Sequence, residues 1–306
     1  MNRTIWITGA SGFVGRRLAE YFAENEPQAE VIGLDISKPD FPVLADHFVQ
    51  IDISDPEAVA ILLEEKAPSV VFHLVGALPP ADVETMWRVN VGATQRFALL
   101  LANRAPHTIR FVSTGSAAEY GNTDNADLVR EEFKGIPIGV YGESKLAATN
   151  LLLGLGTLSD LDVVVVRPFN FIGPGLSSGL VLGEICEQLR NGGSTVRVGP
   201  LEPVRDFLVV RDAAEAFALL AEKGEPGEIY NMCSGVGHSI QSALDIALSL
   251  VQHDICVEFK KDIPPGVARA VGCCEKLRAA TGWAPRTRLR TSLADMLGSS
   301  DFDLPI

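Results

Sequence analysis

Tyr141 and Lys145 stand four residues apart in Val140-Tyr141-Gly142-Glu143-Ser144-Lys145-Leu146-Ala147-Ala148, a stretch that reads as the opening of a helix and so puts both side chains on one face. A tyrosine hydroxyl, with an ordinary pKa near 10, is a poor acid or base at neutral pH. A neighbouring cation such as Lys145 favours the phenolate, and each unit of downward shift corresponds to about 1.4 kcal/mol of that preference. Upstream, the strand at residues 108–113 opens into Thr114-Gly115-Ser116. A serine there adds a hydrogen bond to a substrate oxygen, and positioned proton transfer of this kind typically contributes about 10²–10⁴-fold in rate. A Tyr-x-x-x-Lys pair occurs by chance in many helices, so its surroundings decide its meaning.

The most informative surroundings are the first fifteen residues. Ile5 to Thr8 read as a short apolar strand, and Gly9, Gly12 and Gly15 follow at three-residue intervals where a backbone must turn, approach a ligand and pack a helix against a sheet. The helix that continues through Arg16 and Phe22 directs its N–H groups and about half a unit of positive charge at a pyrophosphate. Gly9, Ser11, Gly12, Phe13, Val14 and Gly15 are the candidate contacts; the plain alternative is a tight strand-to-helix turn with no ligand. Val31-Ile32-Gly33-Leu34-Asp35 is a second apolar strand, ending in a carboxylate twenty residues after Gly15. An acid there accepts from both hydroxyls of an adenosine ribose and repels a 2′-phosphate. NAD(H) is therefore favoured over NADP(H), with Lys38 the nearby cation that could tolerate the phosphate. A third strand from Phe48 ends in Asp52, whose other reading is a helix cap leading into Pro56 and Glu57.

The elements that must hold these residues alternate. Helical periodicity runs from Pro56 to Lys66, a strand-length apolar run from Ser69 to Ala77, one helix from about Asp82 to Asn103, and a sixth strand from Leu161 to Pro168. Such alternation implies a parallel, doubly wound sheet covered on both faces. Beyond it the pattern loosens into a helix at 180–191 and a strand at 195–198. The 306 residues, 47% hydrophobic, suit one large unit with a smaller companion. The net charge of −13 argues against nucleic acid or an anionic membrane as partner. No apolar run approaches the roughly 20 residues that span a bilayer, and the chain enters its first strand with no signal peptide, so a cytoplasmic location is expected. Five cysteines without a Cys-x-x-Cys pair or matching histidines read as reduced thiols, and no metal site is expected. His73 reads as a strand-end histidine satisfied by backbone.

Thr8-Gly9-Ala10-Ser11-Gly12-Phe13-Val14-Gly15, with its Gly-x-x-Gly-x-x-Gly spacing, resembles the short-chain dehydrogenase/reductase superfamily in its extended, nucleotide-sugar-modifying branch. The resemblance covers nearly the whole chain. It implies a doubly wound parallel Rossmann sheet with a smaller C-terminal α/β substrate domain: residues 1–168 for NAD, with about 207–235 returning to them, and 169–306 mainly for substrate. The family's catalytic trio maps onto Ser116, Tyr141 and Lys145, Ser116 being chosen over Ser113 and Thr114 by its spacing to Tyr120-Gly121. The resemblance also places Asp52 and Ile53 beside adenine, Leu74, Val75, Gly76, Thr114 and Pro168 along the cofactor, and Asn90 behind the active site. Asn170, in Arg167-Pro168-Phe169-Asn170, reaches substrate phosphate, while Arg205, in Arg205-Asp206-Phe207, and Arg269 are diphosphate candidates; the plain reading of Arg205 is a surface ion pair with Asp206 or Glu202. Cys273-Cys274 departs from the polar pair more usual before Glu275.

Dehydratases of this branch carry an acid two residues before the Tyr120 position. This chain has Ala118 there, with Glu119 one step along and pointing differently. The wording at 198–212, 222–235 and 277–285 looks most like the GDP-4-dehydro-6-deoxy-mannose reductases. The resemblance thus implies reduction of a 4-keto group on a nucleoside-diphosphate sugar, with a 4-epimerase that keeps its NAD as the alternative and a non-catalytic cofactor sensor as a more distant one. It also implies a homodimer joined through a four-helix bundle, to which the helix after Lys145 contributes its outer face; an intramolecular core is the plain reading of that face.

Overall fold

A computed structural model of the chain describes residues 3–39, 47–261 and 266–298. The first half runs β1 (Thr4–Thr8), α1 (Phe13–Asn25), β2 (Glu30–Asp35), β3 (Phe48–Gln50), α2 (Pro56–Lys66), β4 (Val70–His73), α3 (Val83–Trp87), α4 (Thr94–Arg104), β5 (Ile109–Thr114) and α5 (Gly139–Gly156). It continues through β6 (Leu161–Pro168), β7 (Asn170–Ile172), α6 (Val181–Arg190), β8 (Thr195–Val198), β9 (Val204–Val209), α7 (Val210–Lys223) and β10 (Ile229–Met232). The remainder is β11 (Gly237–Ser239), α8 (Ile240–Leu248), β12 (Cys256–Phe259), β13 (Arg269–Ala270), α9 (Glu275–Thr281) and α10 (Leu289–Leu297).

Seven parallel strands form the central sheet in the order β3-β2-β1-β4-β5-β6-β10. Alternation along each strand builds two cores. Ile5, Ile7, Phe72, Val164 and Val166 face Leu18, Phe22 and Phe217 on α1 and α7, while Trp6, Val71, Phe111, Val163 and Val165 face Phe97 and Leu152 on α4 and α5. Burial of each such side chain contributes about 1.5–3 kcal/mol. The chain order reverses between β1 and β4, and a crevice opens at the carboxyl ends of strands around such a point.

A third core joins α6, α8 and α10 to β7, β8 and β9 through Leu182, Ile185, Val196, Phe207, Leu244 and Leu293. Here β9 pairs in parallel with β7 and β13 and antiparallel with β11, and β8 pairs with β12. α7 and β10, at 210–232, belong to the large sheet's layers.

Two elements differ from the sequence expectation. The single helix expected over 82–103 is interrupted: α3 passes into a π-turn at Arg88–Ala93 before α4 begins. The wider turn carries the buried side chain of Asn90 toward the β4 exit, a local gain that overrides ideal helical spacing. The strand from Phe48 stops at Gln50, short of Asp52, because Asp52 accepts from Ser54 N–H at 2.8 Å in a turn of its own. Asp55, not Asp52, caps α2, accepting from the N–H groups of Glu57 and Ala58 at 3.0 and 3.2 Å.

Candidate active site

The glycine turn leaves β1 with Gly9 at a φ of 71°, a conformation that favours glycine. A Cβ on Gly15 would fall 2.3 Å from the Gly9 oxygen, so only glycine lets α1 pack this close. No side chain caps the first turn of α1, which leaves its N–H groups and the positive end of its dipole for an anion. Asp35 anchors the neighbouring loop, accepting from Ser11 N–H at 3.0 Å and Ser37 N–H at 3.2 Å. Ile53 is buried in the core beneath this loop, while Asp52 is exposed.

The opposite wall is the exit of β4. A Cβ on Gly9 would lie 3.2 Å from the Val75 nitrogen, so the glycine turn abuts Leu74 and Val75. Asn90 holds the next residues, accepting from Ala77 N–H at 2.7 Å and donating to Ala77 O at 3.0 Å and to Ser144 Oγ at 2.9 Å. It thus links the β4 exit to α5, whose Ser144 in turn donates to the Tyr141 carbonyl. His73 is satisfied by two hydroxyls rather than by backbone: Thr8 at Nδ1, 3.0 Å, and Thr94 at Nε2, 2.8 Å. Hydroxyls reach both ring nitrogens at this depth, where the backbone groups are committed to the sheet.

Tyr141 and Lys145 lie one turn apart on α5, and Ser116 lies just past the end of β5, where the chain leaves the sheet. Ser116 heads the short helical turn Ala117–Tyr120 and accepts from Ala118 N–H at 3.1 Å. Its hydroxyl favours the Tyr141 phenolate, but burial outweighs it and raises the Tyr141 pKa above its ordinary 10, with the Glu119 charge adding to the rise. The expected lowering of Tyr141 by Lys145 is therefore corrected. The Lys145 ammonium lies against Gly76, 3.7 Å from where a Cβ there would sit, and is not among the groups shifting the phenol. Burial lowers Lys145 itself to about 8, opposed by Glu119.

Glu119 is the site residue that sequence reasoning underestimated. Its side chain is wholly buried and pairs with Arg167 Nε at 2.7 Å. Its other oxygen accepts from Ser116 N–H at 2.8 Å and Thr149 Oγ1 at 3.1 Å. Arg167 lies 4.6 Å over the Tyr120 ring, and the Tyr120 hydroxyl donates to Asn231 Oδ1 at 2.7 Å. Both oxygens of this carboxylate are committed to protein donors, and the position two before Tyr120 is Ala118. The one signal available earlier was a pair of charges, Glu119 and Arg167, each set among apolar neighbours.

Beyond β6, Pro168 ends the strand and Asn170 donates to Asp206 O at 3.0 Å. Arg205 and Arg269 do not converge. The register pairs Arg269 with Val204 and Ala270 with Arg205, so the two arginines leave opposite faces of the small sheet. Arg269 donates to Asp127 O and Arg205 to Val204 O, and Arg205 forms no ion pair with Asp206 or Glu202 among the described residues. Asp206 is instead a buried hub, accepting from the N–H groups of Ser234, Gly235 and Gly272 and from the Ser234 hydroxyl. Cys274 precedes α9 and receives a hydrogen bond from the buried Cys233 thiol, which brings it down to about 7. All five cysteines are free.

The description NAD dependent epimerase/dehydratase family belongs to the family model that matches residues 5–233. GDP-6-deoxy-D-mannose reductase of Pseudomonas aeruginosa is 31% identical over 313 residues, covering 97% of each chain. Among solved structures, the RMD protein of Pseudomonas aeruginosa in complex with NADPH superposes with a TM-score of 0.83 at 29% identity, covering 97% of this chain and 98% of that one. A putative epimerase from Burkholderia cenocepacia gives a TM-score of 0.88 at 28% identity, covering 97% of each.

Proposed function

The chain belongs to the NAD dependent epimerase/dehydratase family, and on that premise we propose that it reduces the 4-keto group of a nucleoside-diphosphate 6-deoxysugar, with GDP as the nucleotide. The family is NAD(P)-dependent, and the residues present fit such a cofactor. The Thr114 hydroxyl is buried with no partner among the described residues, a condition worth about 1–3 kcal/mol unless a ligand meets it. The uncapped α1 terminus and the closely packed Gly9 and Gly15 leave a cradle for a pyrophosphate. In this reading Gly9, Ser11, Gly12, Phe13, Val14 and Gly15 hold the pyrophosphate, Asp35 the adenosine ribose in preference to a 2′-phosphate, and Asp52 and Ile53 border the adenine. Leu74, Val75, Gly76, Asn90, Thr114, Tyr141, Lys145 and Pro168 line the remainder.

NAD(P)H, when bound, supplies the hydride. The raised pKa of Tyr141 keeps its proton in place at neutral pH, so the phenol donates it to the oxygen of the reduced carbonyl. The Ser116 hydroxyl favours the phenolate form of Tyr141 and is placed to share the substrate oxygen. Lys145 supplies the positive charge that steadies the oxyanions formed on the way. The observation that carries the reductase over a dehydratase is the engagement of Glu119 by Arg167, Ser116 and Thr149, with Ala118 at the position a base would need. Asn170, Arg205 and Arg269 are assigned to the substrate's phosphates; Arg205 and Arg269 then contact them from different sides.

A 4-epimerase uses the same trio and is the second reading, favoured by the likeness to the Burkholderia protein. The test mixes purified protein with NADH or NADPH and GDP-, UDP- and dTDP-4-keto-6-deoxysugars, following cofactor oxidation and sugar product together. Matched oxidation and reduction establishes the reductase; tightly held NAD with isomerisation of an ordinary nucleotide sugar selects the epimerase. Tyr141→Phe should lower turnover by about 10²–10⁴-fold, and unchanged turnover would remove the catalytic assignment.

The same reading assigns residues 1–168 and 207–235 to the cofactor and the rest of 169–306 to the substrate. It makes the outer faces of α4 and α5, with Leu99 exposed on α4 and Leu158 exposed just past the end of α5, the four-helix bundle of a homodimer. Four buried free thiols and an exposed Cys256 suit a reducing cytoplasm. Among the described residues no helix is long and apolar enough to cross a membrane.

A further inference from the structure

We propose that Glu119 is a positioning residue of this site: its buried carboxylate fixes the turn that carries Ser116 and supplies the fixed negative charge against which Tyr141 and Lys145 operate. The proposal rests on the ketoreductase reading and deepens it.

Its geometry is over-determined. One carboxylate oxygen receives Ser116 N–H and the Thr149 hydroxyl of α5, and the other receives Arg167 of β6. The turn bearing the serine is thereby tied to the helix bearing the acid and to the strand behind them. Gly115 is required for the same reason, since a Cβ there would fall 2.4 Å from Glu119 Oε1. A surface acid at this position would do none of this.

The charge acts as well as the shape. Glu119 raises both Tyr141 and Lys145, opposing the burial that would strip Lys145 of its proton. The other charged or titratable groups facing this cluster are Arg167 from β6, Tyr120 on the same turn, Glu131 beyond it and His73 from β4. Arg167 is held in the ion pair with Glu119 and is not among the groups shifting Lys145; Tyr120 is pushed up to about 12 and His73 down to about 3, so those two stay uncharged across the working range. Glu119 is therefore the group whose removal strips Lys145 of its proton at lower pH. With it, the resting state is a protonated phenol beside an ammonium, the state that gives a proton to a carbonyl oxygen.

The test compares wild type, Glu119→Gln, Glu119→Asp and the double variant Glu119→Gln/Arg167→Met, which leaves no unpaired buried cation and so guards against misfolding. Lys145 is titrated in the full chain by NMR of isotope-labelled lysine, its signal assigned with Lys145→Arg. The midpoint near about 8 in wild type should move to lower pH in Glu119→Gln and in the double variant, and stay near wild type in Glu119→Asp. In turnover, Glu119→Gln should lose on the order of tenfold or more in kcat with KM for the sugar little changed, and its alkaline limb should move down in pH. An unmoved Lys145 midpoint in the double variant overturns the proposal, as does a kcat loss in Glu119→Gln with an unmoved limb, which is what a merely structural role would produce. Because the NMR midpoint needs no substrate, its shift in a protein that reduces no ketosugar would sink the functional reading and not this one.

Discussion

The Nδ1 atom of His73 lies 3.0 Å from the hydroxyl oxygen of Thr8, joining the end of β4 to the strand that carries the glycine turn. Leu74 N–H donates to the same hydroxyl at 3.2 Å, and on the other side of the ring Nε2 lies 2.8 Å from the Thr94 hydroxyl oxygen. Both nitrogens are met by hydroxyls in a fully buried site, where a charged imidazolium is disfavoured. Burial, with a smaller push from Lys145, takes it from 6.5 down to about 3.

Folding therefore holds this histidine neutral over a range in which the unfolded chain's histidine gains a proton. The stability so conferred is present above pH 6.5 and is lost as pH falls toward about 3, at about 1.4 kcal/mol per unit. Urea unfolding between about pH 7 and about pH 5 should show this slope in wild type and a shallower one in His73→Gln. Parallel curves would mean that His73 does not titrate on unfolding.

Gly15→Ala sets a methyl group against the Gly9 oxygen and the Ala10 backbone. The turn must shift, at about 1–3 kcal/mol, and the N–H groups proposed to hold the cofactor move with it. Thermal unfolding should report the loss of stability. Fluorescence titration with NADH should report a loss of affinity beyond it; wild-type affinity in a folded variant would remove the turn from the binding site.

The ammonium of Lys145 titrates at about 8, below the ordinary lysine value because it is buried. The proposed reduction uses the charged form, so kcat should decline as pH rises through that value. Lys145→Arg keeps its charge at all working pH; its rate should be lower at neutral pH but flat across the range where wild type declines. A decline at the same pH in the variant would transfer the limb to another group.

Asp35 accepts from Ser11 and Ser37 N–H groups through both of its oxygens and faces the position of the ribose in the proposed binding mode. Wild type should show a lower KM for NADH than for NADPH, and Asp35→Ser should narrow or invert that ratio by about tenfold, through loss of charge repulsion against a 2′-phosphate. A wild-type preference for NADPH would refute the role given to this carboxylate.

The large sheet was legible because its strands are apolar runs rich in β-branched residues, and α2 begins at a proline behind an acidic cap. α2 spans Pro56–Lys66 and β8 Thr195–Val198 as read from the residues alone. The break at Arg88–Ala93 was not, since a single π-turn hardly disturbs the spacing of apolar residues around it. The divergence of Arg205 and Arg269 depends on the register of β13 on β9, which joins segments about sixty residues apart and leaves no local mark. Glu119 was read as pointing aside, which it does; that it points at Arg167, 48 residues on, is a fact of tertiary packing that no local pattern carries.

Tyr120 is held by Asn231, and the segment leading from it toward Tyr141 is held by residues still later in the chain: Val129 exchanges backbone hydrogen bonds with Val271 and Cys273, and Asp124 accepts from the N–H groups of Ala268 and Arg269. Synthesis runs from the amino end, so a ribosome releases the glycine turn and Asp35 long before it releases the residues that brace the wall between Ser116 and Tyr141. A nascent chain can present its phosphate cradle early, while the arrangement that moves a proton is completed only as the last stretch emerges. Premature termination before about residue 270 would thus remove the braces of Val129 and Asp124 together with Leu277 and Trp283, which complete the core that α1 and α7 share.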